Sequence, residues 1–192
     1  AAGSPPSARS GHTAIYDPLR DRMLVFGGGG TAVWELSLAG SPIWSTLFAA
    51  GSPPAERVGH TAIYDPVRDR MVVFGGNSVN GSLNDARALS LAGTTAWSLL
   101  APAGAPPPAR NYHATIYDPL RDRMLVFGGS YRNDAWILNW GTTVSVSPGA
   151  LGRLQLGAPR PNPSSGATVV DFELGEPARV VLDVFDTQGR RV

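Results

Sequence analysis

Short apolar runs rich in Val, Ile, Phe, Tyr and Trp recur along this chain, each bounded by Gly, Pro, Asp or Ser. None has the length or the spacing of an amphipathic helix. The pattern predicts many short strands joined by tight turns, an all-β chain. It is also periodic. The block GHTAIYDPLRDRMLVFGG at 11–28 returns as GHTAIYDPVRDRMVVFGG at 59–76 and as YHATIYDPLRDRMLVFGG at 112–129. From His12 to His60 is 48 residues and from His60 to His113 is 53. Periods of this size belong to propellers and solenoids.

Within each block, the runs TAIYD and RMLVF flank a turn whose Asp and Pro favour chain reversal, so the pair predicts a hairpin. A variable polar loop follows the double glycine. A third run comes next, at 32–38, 88–91 and 135–140, and then a fourth, at 42–47 and 96–100. In the third repeat only TTVSVSP at 142–148 offers a fourth strand. Four antiparallel strands per ~50 residues describe one propeller blade. Proline-rich connectors, GSPPAER at 51–57 and GAPPPAR at 104–110, lead from one repeat to the next.

The hairpin ending in Gly-Gly, the Asn-Asp pairs Asn84-Asp85 and Asn133-Asp134, and the downstream Trp make this pattern resemble the kelch repeat. The resemblance implies three kelch-type four-stranded blades over 1–148, near 8–48, 56–100 and 109–148, each with its first strand innermost. The first repeat departs from it, with Gly29-Gly30-Thr31 in place of Asn-Asp. Three blades make a partial β-propeller, whereas rings close at four to eight. The expectation is therefore the C-terminal half of a longer protein, since AAGSPP at the start reads as the end of a preceding connector. A six-bladed ring of two chains is the alternative.

From about Leu151 the repeat stops. The segment 149–192 carries PNP at 161–163, the runs ATVVDFEL and RVVLDVFD, and a closing DTQGRRV. It resembles the opening of the Ig-like C-terminal domain of proteins exported by the type IX route, close in pattern to the flagellar-hook-capping Ig-like domain. An incomplete Ig-like β-sandwich segment is expected there. The resemblance implies a bacterial protein, contact with a secretion machinery, and an extracellular or outer cell-surface location.

Composition narrows the chemistry. A net charge of +1 with interspersed signs leaves no footprint for nucleic acid, and no apolar run reaches membrane-span length, so neither partner is expected. With no Cys, disulfides, thiolate metal sites and Cys nucleophiles are excluded from this chain. So is the Cys–Tyr crosslink on which kelch-type copper-radical oxidases rely. No cofactor is expected.

A catalytic centre needs one copy of each group, whereas a group present in every repeat belongs more simply to the blade. His12, His60 and His113 fall in the second class, each expected to bond backbone of its own blade rather than a metal. Asp17, Asp65 and Asp118, with Asp21, Asp69 and Asp122, read as hairpin-turn residues. Tyr16, Tyr64 and Tyr117, with Phe26, Phe74 and Phe127, read as packing between blades. Glu35 and Glu56 are the acids of the blades without a counterpart in the other repeats; Glu35 sits beside Trp34 on a strand and Glu56 in a connector, so nothing in the pattern pairs them as a glycosidase would require.

Binding has a geometric case. In an antiparallel blade the loop after strand two and the connector before strand one emerge on the same face. That face would carry Asn77, Asn80, Tyr131 and Arg132 together with Arg9, Arg57 and Arg110, although pairing with a blade Asp competes for the three repeated arginines. The sequence thus points to a non-catalytic module for a protein or glycan ligand. The alternative is the scaffold half of an extracellular carbohydrate-active oxidase or hydrolase whose catalytic residues lie elsewhere.

Overall fold

The computed structural model describes residues 1–101, 105–139, 143–146, 155–156 and 172–173. The chain divides into two compact units, Ala1–Val146 and Ser147–Val192. The first is a row of three sheets, antiparallel but for one short parallel edge strand in each of the first two. Blade one holds β1 (Ala2–Gly3), β2 (Thr13–Asp17), β3 (Arg22–Phe26), β4 (Val33–Ser37) and β5 (Ile43–Leu47). Blade two holds β6 (Ala50–Gly51), β7 (Thr61–Asp65), β8 (Arg70–Phe74), β11 (Ala86–Ser90) and β12 (Ala96–Leu100), with a small hairpin, β9 (Asn77–Ser78) and β10 (Gly81–Ser82), in its loop. Blade three holds β13 (Ala114–Asp118), β14 (Arg123–Phe127), β15 (Ala135–Asn139) and β16 (Thr143–Val146). In the second unit β17 (Gln155–Leu156) pairs antiparallel with β18 (Phe172–Glu173). The rest of the expected Ig-like segment, 149–192, lies outside the described residues.

The hairpins form as the turn chemistry requires. The Asp17 carboxylate accepts the backbone N–H of Leu19 and Arg20 at 3.2 and 3.3 Å, and Arg22 Nε reaches it at 2.9 Å. Asp65 does the same for Val67, Arg68 and Arg70. Such local bonds reward a turn over any extended alternative. β16 pairs with β15, so the third blade does have its fourth strand.

A fifth strand was not expected. β1 and β6 add in parallel to β5 and β12, the outermost four-stranded edges of blades one and two. The Ala-Gly of each connector covers backbone groups that an edge strand would leave open. Gly51 has φ +79°, and a Cβ there would lie 2.5 Å from the Trp97 carbonyl oxygen, so this close pairing requires glycine.

β7 lies beside both β2 and β13, so the first strands of successive blades are neighbours, as innermost strands must be. The core lies between blades rather than within them. Ile15, Leu24, Phe26 and Val33 of blade one meet Met71, Val73, Leu89 and Trp97 of blade two. Ile63, Val72 and Phe74 of blade two meet Met124, Val126 and Leu138 of blade three. Alternate residues of each strand face opposite neighbours, which is why both sides of a middle blade are apolar.

Candidate functional site

The connector arginines occupy the same place in every blade, and two of them are buried. Arg57 donates through Nη1 and Nη2 to Asp85 at 2.8 and 3.0 Å, and also to the Gly75 carbonyl at 2.9 Å. Arg110 repeats this on Asp134, both at 2.8 Å, and on the Gly128 carbonyl, while Trp136 Nε1 donates to the same aspartate at 2.7 Å. The guanidinium bonds hold the Asp134 carboxyl well below the usual carboxylate range. Arg57 and Arg110 therefore leave the candidate binding set, because their donors are spent inside the blade. The Asn-Asp pair of the repeat has a physical role here: its aspartate is the counter-ion of the connector arginine. Blade one lacks that aspartate, and among the described residues half-buried Arg9 bonds the carbonyls of Gly27 and Ser7.

The histidines correct a second expectation. His60 Nε2 shares a 2.8 Å hydrogen bond with Thr13 Oγ1 of the preceding blade, and His113 does so with Thr61. Their rings stand edge-on to Phe26 and Phe74, with centroids 5.5 and 5.3 Å apart. They join blades instead of bonding within one. Burial pushes both imidazoles down to about 4, a backbone hydrogen bond with Phe26 opposing it in part at His60, and Nδ1 of His113 is buried without a hydrogen-bond partner among the described residues. Among the described residues, no cluster of three or more His, Cys, Asp or Glu is placed to hold a metal ion.

The loop face is exposed in the β9–β10 hairpin of blade two and around one depression at blade three. Asn111, Tyr112, Gly129, Ser130, Tyr131 and Arg132 line an open depression of about 470 Å³. Tyr131 is fully exposed and Tyr112 is 73 % exposed. Arg132 is exposed beside them. The backbone here is strained: Tyr112, Ser130 and Tyr131 have φ of +52°, +50° and +60°. A non-glycine residue in the left-handed region costs of order 1–2 kcal/mol, and such costs gather at functional sites. The loop of blade two joins this patch through Asn111 Nδ2, which donates to Ser82 Oγ at 3.0 Å. Asn80 is exposed at the tip of the β9–β10 hairpin, whereas half-buried Asn77 is tied by its backbone to Val58.

Tyr112 escaped the sequence reading. Its signal was a break in the repeat: Gly11 and Gly59 hold the same position at φ +64° and +61°. The Tyr112 ring lies over Gly59, where a Cβ would come within 3.1 Å of it. A large aromatic has thus been placed where the geometry prefers glycine.

Inter-blade cores, innermost first strands and the arginine–aspartate clasp define a row of propeller blades. Residues 1–170 match the model of the KLHDC2/KLHL20/DRC7 Kelch-repeats domain, and the chain belongs to that kelch-repeat family. Among solved structures it is similar to one titled "Structure of YjhT", with 24 % identity and a TM-score of 0.51 over 65 % of this chain and 34 % of that one. At that identity the likeness is one of fold, and this chain spans about a third of that structure's length. No curated protein matches the sequence.

Proposed function

We propose that this chain is a non-catalytic binding module of the kelch type that takes a protein or glycan through the loop face of its third blade. The observation that carries the reading is the pair Tyr112 and Tyr131, both exposed and both held in left-handed backbone, beside Arg132. Tyr and Arg dominate the energetics of interfaces, because a ring gives large contact area at low entropic cost and a guanidinium gives directed donors. The hairpins below them barely differ from blade to blade, so the scaffold is rigid and the variation sits in the loops. Presentation at the outer cell surface, with export through the segment 149–192, is part of the same proposal and rests on the pattern of that segment.

The protein should be screened against a glycan array and an extracellular-protein pull-down, comparing wild type with Tyr131→Ala/Arg132→Ala. Loss of at least about tenfold in affinity, ~1.4 kcal/mol, is the expected result. Affinity kept within about twofold would place recognition elsewhere. Turnover of a sugar, with no stable partner, would favour the enzyme-scaffold reading.

A further inference from the structure

We propose that the open side of the third blade receives the open side of the first blade of a second copy of this chain, closing a six-bladed ring of two chains. The two blade junctions within the chain are built from the same contacts. Thr13 meets His60, and Thr61 meets His113. Phe26 and Phe74 lie under those imidazoles. Arg20 grips Asp69 with two bonds, at 3.0 and 2.6 Å, and Arg68 grips Asp122 at 2.9 and 2.7 Å. The backbone N–H groups of Gly28 and Gly76 donate to the carbonyls of Arg57 and Arg110.

Blade three presents the first half of three of these contacts once more, in Phe127, Arg121 and Gly129, while Ala114 stands where Thr13 and Thr61 bond the next histidine. Blade one presents the second half, in His12, Asp21 and the Arg9 carbonyl. Phe127 is 58 % exposed where Phe74 is 2 %, and Ile116 is 62 % exposed where Ile63 is 6 %. With Leu125 and Ala135 they line an apolar depression of about 270 Å³. Arg121 turns back to its own Asp118 at 3.3 Å, a site from which it can reach outward as Arg20 and Arg68 do from theirs. The cationic side of one copy thus faces the anionic side of the next, over an apolar centre already proven twice inside the chain. Head-to-tail contacts either close or run on as filaments. Propellers close at four to eight blades, and two copies of these three blades make six. Of the loop-face depression the junction uses only the Gly129 backbone, and Tyr131 and Arg132 take no part in it, so failure of this proposal leaves the binding reading standing.

Light scattering on the full chain tests it. Wild type should weigh twice the 20.2 kDa of one chain at micromolar concentration. Arg121→Asp and Asp21→Arg each oppose like charges at both junctions, and each should raise the dissociation constant at least about tenfold. Mixed in equal amounts, the two variants pair Asp with Arg at both junctions and should dimerise within about threefold of wild type. Phe127→Asp, which leaves Asp21 untouched, should be monomeric with its near-ultraviolet circular dichroism intact. A wild type that stays monomeric throughout, leaving the face to a blade of another segment, overturns the proposal. So does a mixture no tighter than either variant alone.

Discussion

Blades two and three carry almost the same eighteen residues and live in different surroundings. In blade two, Ile63 and Phe74 are buried against Met124 and Val126 of the next sheet. In blade three their counterparts Ile116 and Phe127 are exposed. Local sequence therefore makes the blade, and the neighbour decides what the blade is worth. The stability of such an array is a sum of repeat and junction terms, and here the junctions hold the core.

That contrast can be broken most sharply at the phenylalanines. Phe74→Ala should cost about 3–5 kcal/mol in urea unfolding, while Phe127→Ala, measured on the dilute monomer, should change stability by less than about 0.5 kcal/mol. Equal costs would mean that the junctions do not carry the core. The connector arginines give the next effect. Arg110→Met strands the Asp134 carboxylate and should cost about 3 kcal/mol, whereas Arg9→Met, in the blade without that aspartate, should cost less than about 1 kcal/mol.

The junction histidines should make stability depend on pH. Folded, His60 and His113 take up a proton only near pH 4, against an ordinary value of 6.5. Between those values the unfolded chain binds more protons, so stability falls as pH drops from about 6.5 toward 4, by roughly 2 kcal/mol per histidine. Urea midpoints at neutral pH and at pH ~4.5 measure it, and His60→Gln/His113→Gln should flatten the slope. The smallest effect belongs to the loop face. Tyr112→Gly should raise stability by about 1 kcal/mol, by releasing left-handed strain, while weakening ligand binding.

Much of this was legible because it repeats. The Asp-Pro turns and the paired runs around them follow from turn chemistry and period, while the inner position of the first strands came with the kelch resemblance. The parallel strands β1 and β6 were not legible, since two residues of Ala-Gly carry no alternation to read. The histidine partners were misread for a related reason: Thr13 and His60 are 47 residues apart, and one blade's sequence cannot show that its neighbour supplies the bond. Arg57 and Arg110 stood on the expected face but turn inward to Asp85 and Asp134, a choice that depends on where the loop aspartates land. Tyr131 and Arg132 lie where loop position placed them. Tyr112 was visible only as a glycine missing from a repeat, a cue that gains meaning once its φ is known.

Hydrogen exchange on the dilute chain tests most directly whether neighbours, rather than local sequence, set the stability of these blades. The amides of β7 and β8 should exchange at least about tenfold more slowly than those of β13 and β14, despite near-identical sequence, and the gap should narrow as concentration rises and copies dock. Equal protection of the two hairpins at every concentration would contradict the account.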